Sequence, residues 1–336
     1  MRVLDIGIIG SGAIAKVHAN CVQSFEKTNL VGIVCTDPSR SKQLEEDFNC
    51  IVYNNEETLL EQSLDAVIIC NESGKHGQSS MKAANAQKHI LCEKPLEVTP
   101  LKVTSLLDFI NEKKVILGVV FQNRTHPEYI KFKKAFNQGI IGTPLLVQTQ
   151  INWFRDAHYY KNNPWRGTLQ LDGGAALMNQ GIHTVDLLLD LLGETDYIAG
   201  SVSTKIHAIE GEDVAVAHFK FKNGVLGTLS GGTALYPGFP ERIEVYGTKG
   251  RMVYEAGMIV EAPDQKLISI NKAPKNNSNT TAKIKDQSLH LNVLEDFVDA
   301  ILKNKEPLVT GKSAKKSVDF ITQIYHSSKI NSIKTI

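Results

Sequence analysis

Hydrophobic residues in the first third of the chain fall into short blocks separated by longer mixed segments. Ile6–Ile9, Leu30–Cys35, Ala66–Cys70, His89–Cys92 and Ile116–Val119 are strand-length runs rich in Val and Ile. Between them, Ile14–Phe25, Ser39–Phe48, Gln78–Ala86 and Pro100–Lys113 carry helix-compatible patterns. Strands alternating with helices predict a parallel sheet covered on both faces, closing near residue 120. The pattern then changes. A helix over His126–Gln138 precedes strands of clear alternation. In Leu145–Phe154, residues Leu145, Val147, Thr149, Ile151 and Trp153 share one face, and Gln148, Gln150 and Asn152 the other. Val214–Lys222 alternates likewise, meets the hairpin pair Asn223-Gly224 and returns as Val225–Ser230. Arg242–Tyr246 and Arg251–Glu255 flank Gly247-Thr-Lys-Gly250. This half predicts an antiparallel sheet with one open face. Asn271–Ser288 is polar and predicts a loop; Leu289–Lys303 and Ser313–Lys329 predict helices packed on the body.

The chain has 336 residues, enough for two domains with buried cores. A net charge of +1 favours neither nucleic acid nor an anionic membrane as partner. No apolar run is long enough to span a bilayer. The first strand begins without a charged-then-apolar leader, which predicts a cytoplasmic protein. Cys21, Cys35, Cys50, Cys70 and Cys92 lack CxxC spacing. They read as small hydrophobes in a reducing compartment, and no metal site is expected.

The first strand runs into Gly10-Ser11-Gly12-Ala13-Ile14-Ala15, the pattern of a dinucleotide-binding strand–turn–helix. Gly10 permits a tight turn, Gly12 lets the backbone approach a pyrophosphate, and Ala15 is small enough for close packing. The phosphates would rest on the N-terminus of the following helix. NAD and NADP stay open. The position that closes the second strand, where an acid would hold a ribose hydroxyl, is occupied by Cys35 and Thr36. Asp37 lies two residues later and would have to reach back for NAD, whereas Thr36, Ser39 and Arg40 could surround a 2′-phosphate.

Three clusters carry candidate chemistry. Cys92-Glu93-Lys94-Pro95 follows a strand of the parallel sheet, where ligands bind beyond the carboxyl ends. A lysine there can be desolvated and move a proton; the alternative is a surface lysine before a turn. Asn179, His183, Asp186 and Asp190 fall on one stripe of an otherwise apolar helix after Asp172-Gly-Gly. Such a stripe either meets solvent or lines a pocket. Trp153 to Thr168 interleaves Arg155, His158, Tyr159, Tyr160, Trp165 and Arg166. Those residues suit a polyhydroxylated ring, or else form a packed connection with the arginines in structural ion pairs.

Together these segments resemble the Gfo/Idh/MocA family, which includes glucose–fructose oxidoreductase and inositol dehydrogenases. The resemblance rests on the glycine turn with His18, Glu93-Lys94-Pro95, Asp172-Gly-Gly with His183, and Tyr246-Gly-Thr-Lys-Gly250. Trp165-Arg-Gly-Thr, Leu177-Met-Asn-Gln-Gly-Ile-His183 and Tyr236-Pro-Gly-Phe-Pro-Glu-Arg242 are similar to a subgroup of UDP-N-acetylglucosaminuronate 3-dehydrogenases, with the substrate left open. The resemblance implies an α/β protein. Residues 1–120 would be a Rossmann NAD(P)-binding domain. Residues 121–336 would be a substrate-binding and oligomerisation domain with an open, largely antiparallel sheet, its last helices able to pack back on the first domain. It implies an NAD(P)-dependent dehydrogenase acting on a secondary alcohol of a sugar, cyclitol or sugar nucleotide, working as a dimer or tetramer.

By position, Lys94 and His183 are then catalytic. Asn179 stands where relatives often have an acid and can only orient substrate. Arg155, Tyr159, Trp165, Arg166, Tyr236 and Asp186 complete the substrate side, Asp186 with a structural role equally open. Asn71, His76 and Glu93 join the glycine turn, Cys35, Thr36, Asp37, Arg40 and Lys94 on the cofactor side. An NAD-dependent glycosidase and a non-catalytic dinucleotide sensor are the alternatives on the same scaffold.

Overall fold

The computed structural model describes residues 2–269 and 286–330, so most of the polar stretch Asn271–Ser288 lies outside the described residues. The chain divides into two compact units, one made of residues 1–122 and 284–315, the other of residues 123–283 and 316–336.

The first unit contains β1 (Leu4–Ile9), α1 (Ala13–Ser24), β2 (Thr28–Val34), α2 (Pro38–Phe48), β3 (Ile51–Tyr53) and α3 (Glu56–Leu60). It continues with β4 (Ala66–Ile69), α4 (His76–Asn85), β5 (His89–Cys92), α5 (Pro100–Lys113) and β6 (Leu117–Val119). Its strands are all parallel, in the order β3-β2-β1-β4-β5-β6. This is the doubly wound order, in which the sheet reverses direction beside β1 and leaves a crevice at the strands' carboxyl ends. Burial explains the continuous apolar runs: every residue of β4 is buried, as are Leu4, Ile6, Ile8 and Ile9 of β1. Helix starts follow local chemistry. Pro100 opens α5 behind a Thr99 side chain that accepts from the Lys102 N–H, and Pro38 opens α2 behind Asp37.

The second unit contains α6 (Pro127–Asn137), β7 (Pro144–Asn152), α7 (Ala157–Lys161), a π-helical segment Ala176–Gly181, α8 (Ile182–Leu192) and β8 (Thr195–Ser203). Five more strands follow: β9 (Val214–Phe221), β10 (Leu226–Gly232), β11 (Arg242–Gly247), β12 (Gly250–Glu255) and β13 (Met258–Glu261). They form a sheet in the order β13-β12-β11-β7-β10-β9-β8. All of its pairings are antiparallel except β7 with β10. On β7, Val147, Thr149 and Ile151 are buried while Gln148 and Gln150 are exposed, so the alternation reports the covered face. The Asn223-Gly224 turn joins β9 to β10 with Gly224 at φ +93°.

Two helices remain. The helix α9 (Ser288–Lys303) belongs to the first unit, and the division falls within α10 (Gly311–Ile330), at Lys315. Leu294, Phe297 and Val298 of α9 pack into the core that holds Leu4, Ile6 and Val22. No described helix is long and apolar enough to cross a membrane. Because Leu294 is fully buried in that core, Leu294→Ala should destabilise the protein by about 2–5 kcal/mol in chemical denaturation. A loss below about 1 kcal/mol would mean that α9 is not part of it.

Candidate active site

In the first unit, β1 leads into a glycine turn whose two glycines do different work. Gly10 sits at φ +120°, and a Cβ there would lie 2.6 Å from the Cys70 carbonyl oxygen. Gly12 caps α1 with no side chain over the helix end, and a Cβ there would meet nothing within 4 Å. The first N–H groups of α1, starting at Ala13 and Ile14, therefore open onto space beside the turn. Donors, dipole and room together fit a dinucleotide pyrophosphate.

At the end of β2, Cys35 is buried and Thr36 exposed. Asp37 caps α2, accepting from the Ser39 N–H at 3.0 Å and the Ser39 hydroxyl at 2.6 Å. Those hydrogen bonds hold its carboxyl below the usual range. Arg40 donates to the Ser11 carbonyl, closing the turn from the other side. The Asn71 amide donates to the Ser79 hydroxyl at 2.8 Å. His76 is buried, with Nδ1 2.7 Å from the Pro95 carbonyl and Nε2 3.1 Å from the Asn71 carbonyl. Its ring thus braces the loops after β4 and β5, and both nitrogens are taken up by the protein itself.

Lys94 is the second residue after β5, and the Lys94–Pro95 peptide is cis. Its segment hangs on Glu93, which is 6% exposed. One Glu93 oxygen lies 2.9 Å from His18 Nε2 and the other accepts the Lys94 N–H at 3.1 Å. His290 of α9 meets the His18 ring edge-on at 5.6 Å. Burial alone would raise the Glu93 carboxyl, but the hydrogen bond and charge of His18, with His290 and Lys94 adding, bring it down to about 2. Burial lowers His290 to about 4. Glu93 is thus an ionised brace for the Lys94 backbone. His290 had no signal in the sequence, where it is one more residue on an amphipathic helix.

In the second unit, Gly173 and Gly174 turn the chain at φ +76° and +145° into the π-helical segment. The expected single α-helical stripe is therefore corrected: the wider turn carries Asn179, and α8 begins just before His183. Glu212, fully enclosed, accepts from the Ala175 N–H at 3.1 Å, the Leu177 N–H at 2.7 Å and the Tyr325 hydroxyl at 2.8 Å. Asn179 donates to Asp172 at 2.5 Å, and Asp172 also accepts the Gly167 N–H at 2.7 Å. Farther along the stripe the acids turn elsewhere. Arg124 grips both Asp186 oxygens at 2.6 and 2.7 Å, and Asp190 receives Lys133 and the Tyr129 hydroxyl. Asp186 is buried in that pair, so of its two expected roles the structural one matches its surroundings.

The aromatic–arginine cluster comes together around Tyr159. The Arg155 guanidinium lies 5.5 Å from the Trp153 and Tyr159 rings, and Arg166 lies 4.1 Å from the Tyr159 ring. Trp165 is half-buried beside Arg166, at 5.9 Å. Tyr236, 75% exposed, stands edge-on against Phe154 at 5.2 Å. The backbone of Arg155 is fixed from below: its carbonyl lies 2.9 Å from His207 Nε2, and His207 Nδ1 lies 3.1 Å from the fully buried Asp213. Sequence reasoning missed Glu212, His207 and Asp213, which touch these segments only through the fold. A separate cavity lined by His126, Thr184, Glu241 and Tyr254 contains none of the expected site residues. Among the described residues no cluster of three His, Cys, Asp or Glu is arranged to hold a metal ion.

The model of the Gfo/Idh/MocA oxidoreductase family, NAD-binding Rossmann fold, matches residues 4–121, and that of the GFO/IDH/MocA C-terminal domain matches residues 129–253. Myo-inositol 2-dehydrogenase of Thermotoga maritima is 29% identical over 256 residues, 74% of each chain. Inositol 2-dehydrogenase of Rhizobium meliloti is 27% identical over 319 residues, 91% of each chain. The WlbA dehydrogenase of Bordetella pertussis, solved in complex with NADH and UDP-GlcNAcA, superposes with a TM-score of 0.86 at 26% identity, covering 98% of this chain and 97% of that one. With both units matched to one family, the chain belongs to the Gfo/Idh/MocA oxidoreductases and is an NAD(P)-dependent enzyme.

Proposed function

We propose that the protein is a dehydrogenase that oxidises a secondary alcohol of a sugar, cyclitol or sugar nucleotide, with NAD as its cofactor. The observation that carries this reading is the open cradle at Gly12 in a chain that also keeps a lysine two residues after β5 and a histidine at the start of α8. When bound, the dinucleotide supplies the carbon that takes up the hydride. His183 removes the proton of the reacting hydroxyl, and Lys94 donates to the oxygen as it becomes a carbonyl. Asn179, held by Asp172, orients the ring. Trp165 and Tyr236 give it apolar faces, Tyr159 gives a hydroxyl, and Arg155 and Arg166 give donors. Asp37 supports NAD over NADP. It is exposed and ionised at the end of β2, where it suits a ribose hydroxyl and repels a 2′-phosphate.

A cytoplasmic, self-associating enzyme is part of the same proposal. The five cysteines are free and four are buried; burial pushes the Cys70 and Cys92 thiols well above their usual range, which suits a reducing compartment. The exposed face of the second sheet carries Val216 and Leu226, which supports contact with another copy.

Two mutational outcomes test this reading. Lys94→Ala and His183→Ala should each lower turnover about 100-fold or more while NADH binding by fluorescence persists; near-normal rates would remove that residue from the mechanism. Gly12→Val should leave thermal stability nearly unchanged and abolish NADH binding, because its side chain fills only the cradle. Gly10→Val should lower stability itself, through its collision with Cys70 and its left-handed backbone. Equal NADH affinity in Gly12→Val and wild type would place the cofactor elsewhere.

A further inference from the structure

We propose that Glu212 is a positioning residue for the reaction. It caps the π-helical segment Ala176–Gly181 from elsewhere in the chain, and so sets where Asn179 and His183 meet the substrate. This rests on the dehydrogenase reading and adds a residue to that same site.

The first N–H groups of a helix have no partners within it and are commonly met by a Ser, Thr, Asp or Asn side chain at the cap. Here the cap position is Ala175, which offers no side-chain acceptor. Glu212, 37 positions later, meets the first three donors instead. One carboxylate oxygen accepts the Ala175 N–H at 3.1 Å, and the other accepts the Leu177 N–H at 2.7 Å. The Glu212 carbonyl accepts the Ala176 N–H between them at 3.0 Å. The Tyr325 hydroxyl of α10 donates at 2.8 Å to the oxygen that holds Leu177. Burial raises the Glu212 carboxyl above its usual range, and these donors counter it. A negative group at this end of a helix also matches the backbone dipole.

The close approach is built into the chain. A Cβ at Gly211 would lie 2.6 Å from the Gly174 carbonyl carbon, and one at Gly174 would collide with the Tyr325 hydroxyl. The neighbours of Glu212 tie the same loop to other site segments. The Gly211 N–H donates to the Gly167 carbonyl at 2.8 Å, and Glu210 accepts the Leu169 N–H at 2.8 Å. Asp213 accepts the N–H groups of Lys205, Ile206 and His207 at 2.7–3.0 Å. Four consecutive residues thus hold the segment after Trp165 and Arg166, the turn that carries Asn179, and the His207 brace under Arg155.

No loop separates this cap from the chemistry. The Asn179 N–H donates to the Ala175 carbonyl at 3.1 Å, so cap and orienting amide share one turn. The segment then runs straight into α8, of which His183 is the second residue. A shift of the first turn is therefore carried to both side chains.

The test uses the full chain with NAD and whichever of myo-inositol, D-glucose and UDP-GlcNAcA the wild type oxidises fastest. Glu212→Gln keeps the volume and one oxygen but sets an NH2 donor against the Ala175 N–H. It should lower kcat on the order of 10- to 100-fold, leave NADH affinity unchanged, and speed amide hydrogen exchange across residues 175–183. Tyr325→Phe removes one donor but leaves the N–H contacts, and its kcat should stay near wild type. If Glu212→Gln does not fold, Gly211→Ala presses on Gly174 with the carboxylate in place and should show the same loss of kcat. Normal kcat in either folded variant, or an equal loss in Tyr325→Phe, would overturn the positioning role and leave the dehydrogenase reading standing. A wild type that oxidises none of the three compounds would count against that reading itself; unchanged exchange in Glu212→Gln would overturn the cap whatever the substrate.

Discussion

A carboxylate taken out of water must find hydrogen-bond donors, and in this protein the segment after β5 and the segment before α8 each supply them. Glu93 takes the Lys94 N–H and faces His18. Glu212 takes two N–H groups at the start of the π-helical segment and the Tyr325 hydroxyl. Those stretches of backbone lie just outside a regular strand or α-helix, where main-chain donors have lost their usual partners. The acid and the segment complete each other. Removing one side leaves a buried charge or orphaned N–H groups, worth several kcal/mol in either case. The irregular conformations that present Lys94 and Asn179 are therefore fixed features of the fold.

The same logic explains what was legible in the sequence. The Rossmann half was readable because its strands are buried on both faces and its turns and caps use residues with strong local preferences: Gly10, Pro38, Thr99 and Pro100. Its short edge strand β3 passed unnoticed, since three residues give no period. In the second half β7 and β9 were clear because one face is covered. The edge strand β8 was not, since its residues are mostly half-exposed on both faces. The π turn was invisible for a different reason. Ala176 to Gly181 fits an α-helical period equally well, and what accompanies the wider turn is Glu212, far along the chain. Asp186 looked like a site residue by spacing, and only the fold shows Arg124 closing over it.

Division of labour follows from this architecture. The parallel sheet offers one general device, a helix N-terminus beside small residues, which recognises any dinucleotide pyrophosphate. In the segment Trp153 to Arg166, aromatic rings and guanidiniums gather around Tyr159, and the Arg155 backbone is held by His207 on buried Asp213. Loops carried on such a base can change their side chains without moving it.

The central claim is net hydride transfer from substrate to nicotinamide. It is tested most directly by following reduced nicotinamide by absorbance while the substrate and its product are quantified by mass spectrometry in the same reaction. The account predicts that reduced cofactor accumulates in step with a product two hydrogens lighter than the substrate. Cleavage of a glycosidic bond with no accumulation of reduced cofactor would contradict it and make the protein a glycosidase; tight cofactor binding with no turnover of any substrate would contradict it in favour of a sensor.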